Sequence, residues 1–215
     1  MEREDIIKWI IDNKVLAVVR LKETDRLLKV IEALVKGGVK GIELTMTIPN
    51  AIQAIESTAE EFGSDIMLGV GSVVEAQTAL MAINAGAQFV VSPIYKPNIV
   101  QLVKGTGKVV IPGCFTPTEI QNAYEQGADF AKIFPADNLG MSFIKSIKAP
   151  LPHLKVIPTG GVTLDNANDW IKHGASAVGI GSALVDKKAI ENEDYDRLKE
   201  YAERLCLNLG LNREK

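Results

Sequence analysis

Two cysteines, Cys114 and Cys206, and two histidines, His153 and His173, are all that 215 residues contain of either type. The cysteines stand far apart and form no CxxC pattern, so they read as free thiols of a reducing compartment rather than a disulfide staple. No Cys/His cluster with metal-ligand spacing exists, which argues against a zinc-dependent hydrolase or aldolase. No GxGxxG follows the first apolar run, which weakens a dinucleotide-binding reading. A net charge of −3 leaves no basic footprint for nucleic acid or an anionic membrane. The apolar runs are short and broken by glycine or charge, so none spans a bilayer. The charged start, Met1-Glu2-Arg3-Glu4-Asp5, is followed by no signal-peptide core, and a cytoplasmic location is the expectation.

What is present is alternation. An amphipathic helix over residues 1–13 precedes eight short apolar runs: 15–19, 41–45, 66–70, 88–92, 108–112, the run around Lys132, 154–158 and 177–181. Helical patterns follow them at about 24–36, 50–62, 74–84, 97–104, 117–126, 141–147, 164–172 and 194–209. Runs spaced by roughly 20–26 residues with helices between them are the signature of parallel βα units. Eight units over residues 1–215 predict an α/β fold, one (β/α)₈ TIM barrel domain with an extra N-terminal helix. A doubly wound open sheet is the alternative.

A faint repeat sharpens the register. Gly38-Val-Lys-Gly-Ile-Glu-Leu44, Gly86-Ala-Gln-Phe-Val-Val-Ser92, Gly127-Ala-Asp-Phe-Ala-Lys-Ile133 and Gly174-Ala-Ser-Ala-Val-Gly-Ile180 share one shape, in which a helix-ending glycine is followed about three residues later by a strand. The copies recur every 41–48 residues and mark alternate strands. The fifth residue after each glycine is Glu43, Val91, Lys132 and Gly179. Alternate barrel strands contribute one inward layer, so Glu43 and Lys132 are expected to share it. A lysine inside a strand such as Phe130-Ala-Lys-Ile-Phe-Pro-Ala136 has two readings. Its stem is buried while its head snorkels to water, or its amine is held out of water as a nucleophile for carbonyl carbon. A carboxylate in the same layer is poor core filling and useful chemistry, and favours the second.

Active sites of such barrels lie at the C-terminal strand ends. These ends hold Arg20, Glu43 with Thr45, Gly71-Ser72, Ser92-Pro93, Gly113-Cys114, Lys132 with Phe134, Thr159-Gly160-Gly161 and Gly181-Ser182. The last two follow strands seven and eight, where glycine turns and helix N-termini bind phosphate; tight turns alone are the competing reading. Arg20 reaches the mouth to hold a carboxylate bidentately, or is a surface residue just past the strand. Ser72-Val-Val-Glu75 and Thr116-Pro-Thr-Glu119 fit capping boxes, and Ser72 can cap a helix and still touch ligand. Neither histidine is placed for catalysis.

Gly41-Ile-Glu-Leu-Thr45, Gly69-Val-Gly-Ser-Val73, Ile111-Pro-Gly113, Lys132-Ile-Phe-Pro135, Pro158-Thr-Gly-Gly-Val162 and Gly181-Ser182, in that order along nearly the whole chain, resemble the bifunctional 2-keto-3-deoxy-6-phosphogluconate / 4-hydroxy-2-oxoglutarate aldolases. The resemblance implies a class I aldolase on a (β/α)₈ barrel that needs no cofactor. Lys132 would form the Schiff base and Glu43 would shuttle protons. Thr159 would sit by the pyruvyl end, Gly160, Gly161 and Ser182 would hold phosphate, and Phe134 and Pro93 would wall the pocket. A phosphorylated keto acid is the implied partner, and a homotrimer the implied assembly. The chain departs from the pattern at Thr47, where some members carry an Arg that contacts substrate, and at Ser72, where members often have Thr. Arg20 resembles the Arg that other members place at the end of strand one. The galactonate-derived substrate, an isomerase or synthase of a phosphorylated metabolite, and a non-catalytic phosphosugar sensor are the rival readings.

Overall fold

The computed structural model describes residues 1–211; the last four residues of the expected 1–215 domain lie outside them. Helix α1 (Arg3–Asn13) leads into β1 (Val15–Val19), α2 (Leu27–Lys36), β2 (Gly41–Thr45), α3 (Ala51–Phe62), β3 (Met67–Gly71), α4 (Ala76–Asn84), β4 (Phe89–Val91) and α5 (Pro97–Gly105). The order continues with β5 (Val109–Ile111), β6 (Gly113–Cys114), α6 (Pro117–Glu125), β7 (Ala131–Ile133), α7 (Met141–Lys148), β8 (Val156–Pro158), α8 (Ala167–Lys172), β9 (Val178–Ile180), α9 (Lys187–Glu191) and α10 (Tyr195–Asn208).

All strand pairs are parallel. Six strands lie in the order β5-β4-β3-β2-β1-β9 and three in the order β6-β7-β8. Pro112 separates β5 from β6, because a residue without an N–H interrupts the ladder. Its carbonyl still accepts from Lys132 N at 2.8 Å, and the Val110 carbonyl accepts from Asp129 N at 3.2 Å. At the other edge a parallel bridge joins Thr159 to Gly179. The sheet is curled, since Glu43 on β2 and Lys132 on β7, in separate sheets, come within 3.9 Å of each other.

The strands are buried along nearly their whole length, as near-continuous apolar runs require when both faces are covered. One apolar cluster joins strand side chains that face the helices. The other, with Leu16, Met67, Phe89, Val109, Phe130 and Ile157, packs with Ile6, Ile7 and Ile10 of α1. Helix α1 therefore closes one end of the sheet's concave side. Arg3 holds it there through Asp129, at 2.5 Å, in a carboxylate buried to 2% side-chain exposure. Burial pushes the Asp129 carboxyl above its ordinary range, against the opposing pull of the Val110 N–H and the Arg3 guanidinium.

Gly38, Gly86, Gly127 and Gly174 all have φ between +95° and +116°, the left-handed conformation that ends a helix before each of four strands. Thr116 and Glu119 form the reciprocal capping box at α6. Ser72 and Glu75 do not. Ser72 has φ +60°, Val73 N donates to the Val91 carbonyl beside β4, and α4 begins only at Ala76. The S-x-x-E spacing there marks a turn that extends the sheet. Helix α2 starts at Leu27, three residues after the expected Thr24, and Arg26 at its N-cap donates from its side chain to the carbonyls of Ile190 and Glu191.

Candidate active site

Lys132 and Glu43 meet as the shared register demands. Their side chains are 8% and 3% exposed, and Nζ lies 3.9 Å from Glu43 Oε1. That separation exceeds a hydrogen bond and leaves room for one bridging atom. Glu43 Oε1 is buried and has no hydrogen-bond partner among the described residues, so one acceptor is available to a proton-bearing guest. Small neighbours make the space. A Cβ on Gly71 would sit 2.0 Å from that same oxygen, and one on Gly179 would sit 2.3 Å from Thr159 Oγ1. Lysine Nζ also lies 5.1 Å from the centroid of the Phe134 ring, within cation–π range.

Outward of this pair lies a cavity of about 880 Å³. Arg20, Phe134, Thr159, Gly160, Gly161, Gly181 and Ser182 line it, which gathers seven of the expected site residues in one place. Thr159 connects it to the lysine strand: its N donates to the Ile133 carbonyl at 3.0 Å, and the residue is only 9% exposed. Gly160 and Gly161 have φ of +99° and +71°, conformations that a side chain would strain, and Asp137 packs against both. Lys132, Glu43, Thr45, Ser72 and Pro93 lie outside the lining. The Thr45 hydroxyl contacts the Val19 carbonyl at 3.3 Å and the Thr47 hydroxyl at 2.8 Å. Pro93 backs onto Gly113, where no Cβ would fit.

Cys114 is buried and its thiol is pushed up to about 12, mainly by desolvation, so it is inert as a nucleophile. His173 rests its Nδ1 2.7 Å from the Asp169 carbonyl at the end of α8, and His153 packs its ring against Tyr124. Among the described residues no group of three or more His, Cys, Asp or Glu is placed to hold a metal, and no helix is long and apolar enough to cross a membrane.

Several lining residues escape a sequence reading. Lys22, Arg26, Val185, Lys187 and Ile190 all border the cavity, beside Thr47, the position already noted for lacking an Arg. Val185 precedes the five-residue α9, and Lys187 and Ile190 lie on it; that helix is too short to show a 3.6-residue period. The one available signal was Asp186, which accepts from Ala189 N at 2.8 Å as an N-cap. Arg26 fastens α9 to the loop after β1, with Nη1 3.2 Å from the Ile190 carbonyl and Nη2 3.6 Å from Glu193.

Comparison with known proteins adds relatives. A family model described as KDPG and KHG aldolase matches residues 6–201. The 2-dehydro-3-deoxy-phosphogluconate aldolase of Treponema pallidum is 32% identical over 199 residues, 92% of this chain and 94% of that one. The 2-dehydro-3-deoxy-6-phosphogalactonate aldolase of Escherichia coli K12 is 31% identical over 179 residues, 83% of this chain and 87% of that one. The crystal structure of the KDPG aldolase of Legionella pneumophila, with pyruvate captured as a covalent carbinolamine, superposes with a TM-score of 0.87 at 27% identity, covering 93% of this chain and 97% of that one.

Proposed function

Because the chain belongs to the KDPG and KHG aldolase family, we propose that it cleaves 2-keto-3-deoxy-6-phosphogluconate to pyruvate and glyceraldehyde 3-phosphate, and 4-hydroxy-2-oxoglutarate to pyruvate and glyoxylate, through a Schiff base on Lys132. The observation that carries this is the buried Lys132–Glu43 pair at 3.9 Å, with an unsatisfied carboxylate oxygen beside a lysine whose Nζ lies 5.1 Å from the Phe134 ring of the cavity wall. The carbinolamine in the Legionella protein is the kind of adduct that an amine and the pyruvyl ketone form.

The chemistry proceeds without redox change. The neutral Lys132 amine adds to the C2 ketone, forming an N–C2 bond, and the carbonyl electron pair moves to oxygen. The nitrogen passes one proton to that oxygen, Glu43 in its protonated form supplies a second, and loss of water leaves a cationic imine and the Glu43 carboxylate. A base, Glu43 directly or through a water, takes the proton from the C4 hydroxyl. The O–H electron pair becomes the aldehyde C=O, the C3–C4 bond breaks, and its electrons flow into the iminium as an enamine. The aldehyde departs, C3 takes a proton back, and water hydrolyses the imine to release pyruvate and the free amine. Arg20 and Thr159 hold the pyruvyl carboxylate, the Gly160-Gly161 and Gly181-Ser182 turns hold phosphate, Phe134 walls the pocket, and Thr45, Ser72 and Pro93 support the strand ends behind the cavity lining. The reaction draws on no metal or organic cofactor. The galactonate-derived substrate is the second reading, supported by the similarity to the E. coli phosphogalactonate aldolase.

We read β5 and β6 as one strand broken at Pro112 and the Thr159–Gly179 bridge as the remaining seam, which makes the chain one domain built as a closed (β/α)₈ barrel. Val74, Ile94, Phe115 and Phe134 are exposed on the loops after successive strands β3, β4, β6 and β7, an apolar arc that fits self-association as a trimer. A cytoplasmic setting in carbohydrate catabolism by the Entner-Doudoroff route suits this substrate.

The test is borohydride trapping. Pyruvate plus borohydride should leave a pyruvyl-sized mass on the peptide bearing Lys132, and Lys132→Ala should lose both adduct and turnover. A folded protein that gives no adduct at saturating pyruvate, or a Lys132→Ala variant that turns over normally, would sink the mechanism.

A further inference from the structure

We propose that Lys22 binds the phosphate of the substrate and sets the preference for phosphorylated over unphosphorylated keto acids, an inference that rests on the aldolase reading. Four cationic side chains line the cavity: Arg20, Lys22, Arg26 and Lys187. Two are already occupied. Arg26 contacts the Ile190 carbonyl at 3.2 Å, Glu193 at 3.6 Å and Asp25 at 3.8 Å, and Lys187 lies 3.3 Å from Glu191. Arg20 and Lys22 form neither a hydrogen bond nor an ion pair among the described residues. Of the lining carboxylates, Asp25 and Glu191 belong to those pairs, and Glu23 has no ion-pair partner among the described residues.

The substrate carries two anionic groups, a carboxylate beside the keto carbon and a phosphate at the far end. Two cations without a partner among the described residues line the cavity that would hold them. Arg20 directly follows β1, beside the strand ends that hold the reacting pair, so it takes the carboxylate. Lys22 lies two residues on, at most about 7 Å of chain away, and lines the same cavity as Gly160, Gly161, Gly181 and Ser182, the turns assigned to the phosphate. The space extends that far. A sugar acid phosphate of roughly 16 non-hydrogen atoms fills at most about 480 Å³ at the liquid-water share of about 30 Å³ per atom, well inside the cavity of about 880 Å³. The glycine turns supply directional N–H donors and Lys22 supplies a point charge that a neutral hydroxyl in the same place would not engage.

The measurement is kcat/KM for 2-keto-3-deoxy-6-phosphogluconate divided by kcat/KM for unphosphorylated 2-keto-3-deoxygluconate, on wild type, Lys22→Ala and Lys22→Arg. Because Lys22 is exposed, Lys22→Ala should lower this ratio about fivefold at low ionic strength, the upper end for a solvent-exposed ion pair. The drop should shrink in high salt, and Lys22→Arg should restore most of the ratio. An unchanged ratio in Lys22→Ala, with or without a general loss of activity, overturns the proposal. If wild type cleaves neither acid, the aldolase reading fails by itself, and calorimetry with glycerol 3-phosphate decides on Lys22. Weaker binding by Lys22→Ala then upholds the assignment; equal affinity, or no binding by wild type, overturns it.

Discussion

Replacing Gly71 by Ala should disable the enzyme from a position that touches no substrate. An alanine Cβ there would lie 2.0 Å from Glu43 Oε1, 2.7 Å from its Cδ and 2.8 Å from its Cγ, whereas real Cβ contacts stay above 3.0 Å. Gly71 is not among the residues with positive φ, so alanine suits its backbone and the whole misfit falls on the Glu43 side chain. The carboxylate must withdraw by about 1 Å, a displacement that costs roughly 100-fold in rate when it involves a group at the reacting atoms. Overpacking adds a stability loss of about 1–3 kcal/mol. Gly69→Ala is the control: it lies two residues deeper on β3, paired with Glu43 across the ladder, but its Cβ would clash first with the Phe89 ring, at 2.2 Å, rather than with the Glu43 carboxylate. Pyruvate release under steady-state conditions should fall about 100-fold in Gly71→Ala and far less in Gly69→Ala, with urea melts reporting the stability of both. Near-normal kcat/KM in Gly71→Ala, or equal losses in the two variants, would refute the role assigned to the placement of Glu43.

Two further perturbations test other parts of the structure. Glu43→Gln keeps the shape and removes the proton acceptor, so kcat should drop by about 10²–10⁴ while the melting temperature holds; a drop below tenfold would transfer the acid–base role to another group. Arg3→Met leaves Asp129 buried without its ion-pair partner and should destabilise the fold by about 3 kcal/mol at pH 8. The Asp129 carboxyl already titrates above its ordinary range, so its stabilising contribution is present at low pH and is lost as pH rises through the folded value. The penalty of Arg3→Met should therefore shrink as pH falls from that value towards the ordinary carboxylate pKa of about 3.9. Urea melts of both proteins across this range check it, and a pH-independent difference would refute the argument.

Local rules made much of this protein legible beforehand. Alternation of short apolar runs with helical patterns identified the parallel βα order, since strands buried on both faces must be apolar throughout. Helix-ending glycines fixed the phase of four strands, and phase alone placed Glu43 and Lys132 in one layer, because side-chain direction alternates strictly along a strand. Those statements concern residues within one or two turns of each other. The Ser72 turn went the other way for a tertiary reason: its chain follows β4 through the Val73–Val91 bond, and a pairing partner 18 residues off leaves no mark on the S-x-x-E spacing.

Distances across the sheet were decided only by the fold. Nothing local announces that Nζ and Oε1 stand 3.9 Å apart, that Gly71 vacates the volume the carboxylate occupies, or that Arg26 reaches 164 residues along the chain to fasten α9 over the cavity. Which cations remain free to meet a substrate is likewise a property of the folded chain. Lys187 is paired locally, with Glu191 one helical turn on, whereas Arg26 is drawn from the cavity by the Ile190 carbonyl and Glu193, which only tertiary packing brings to it. Composition and periodicity determine which groups point inward, and closure of the sheet determines which of them meet.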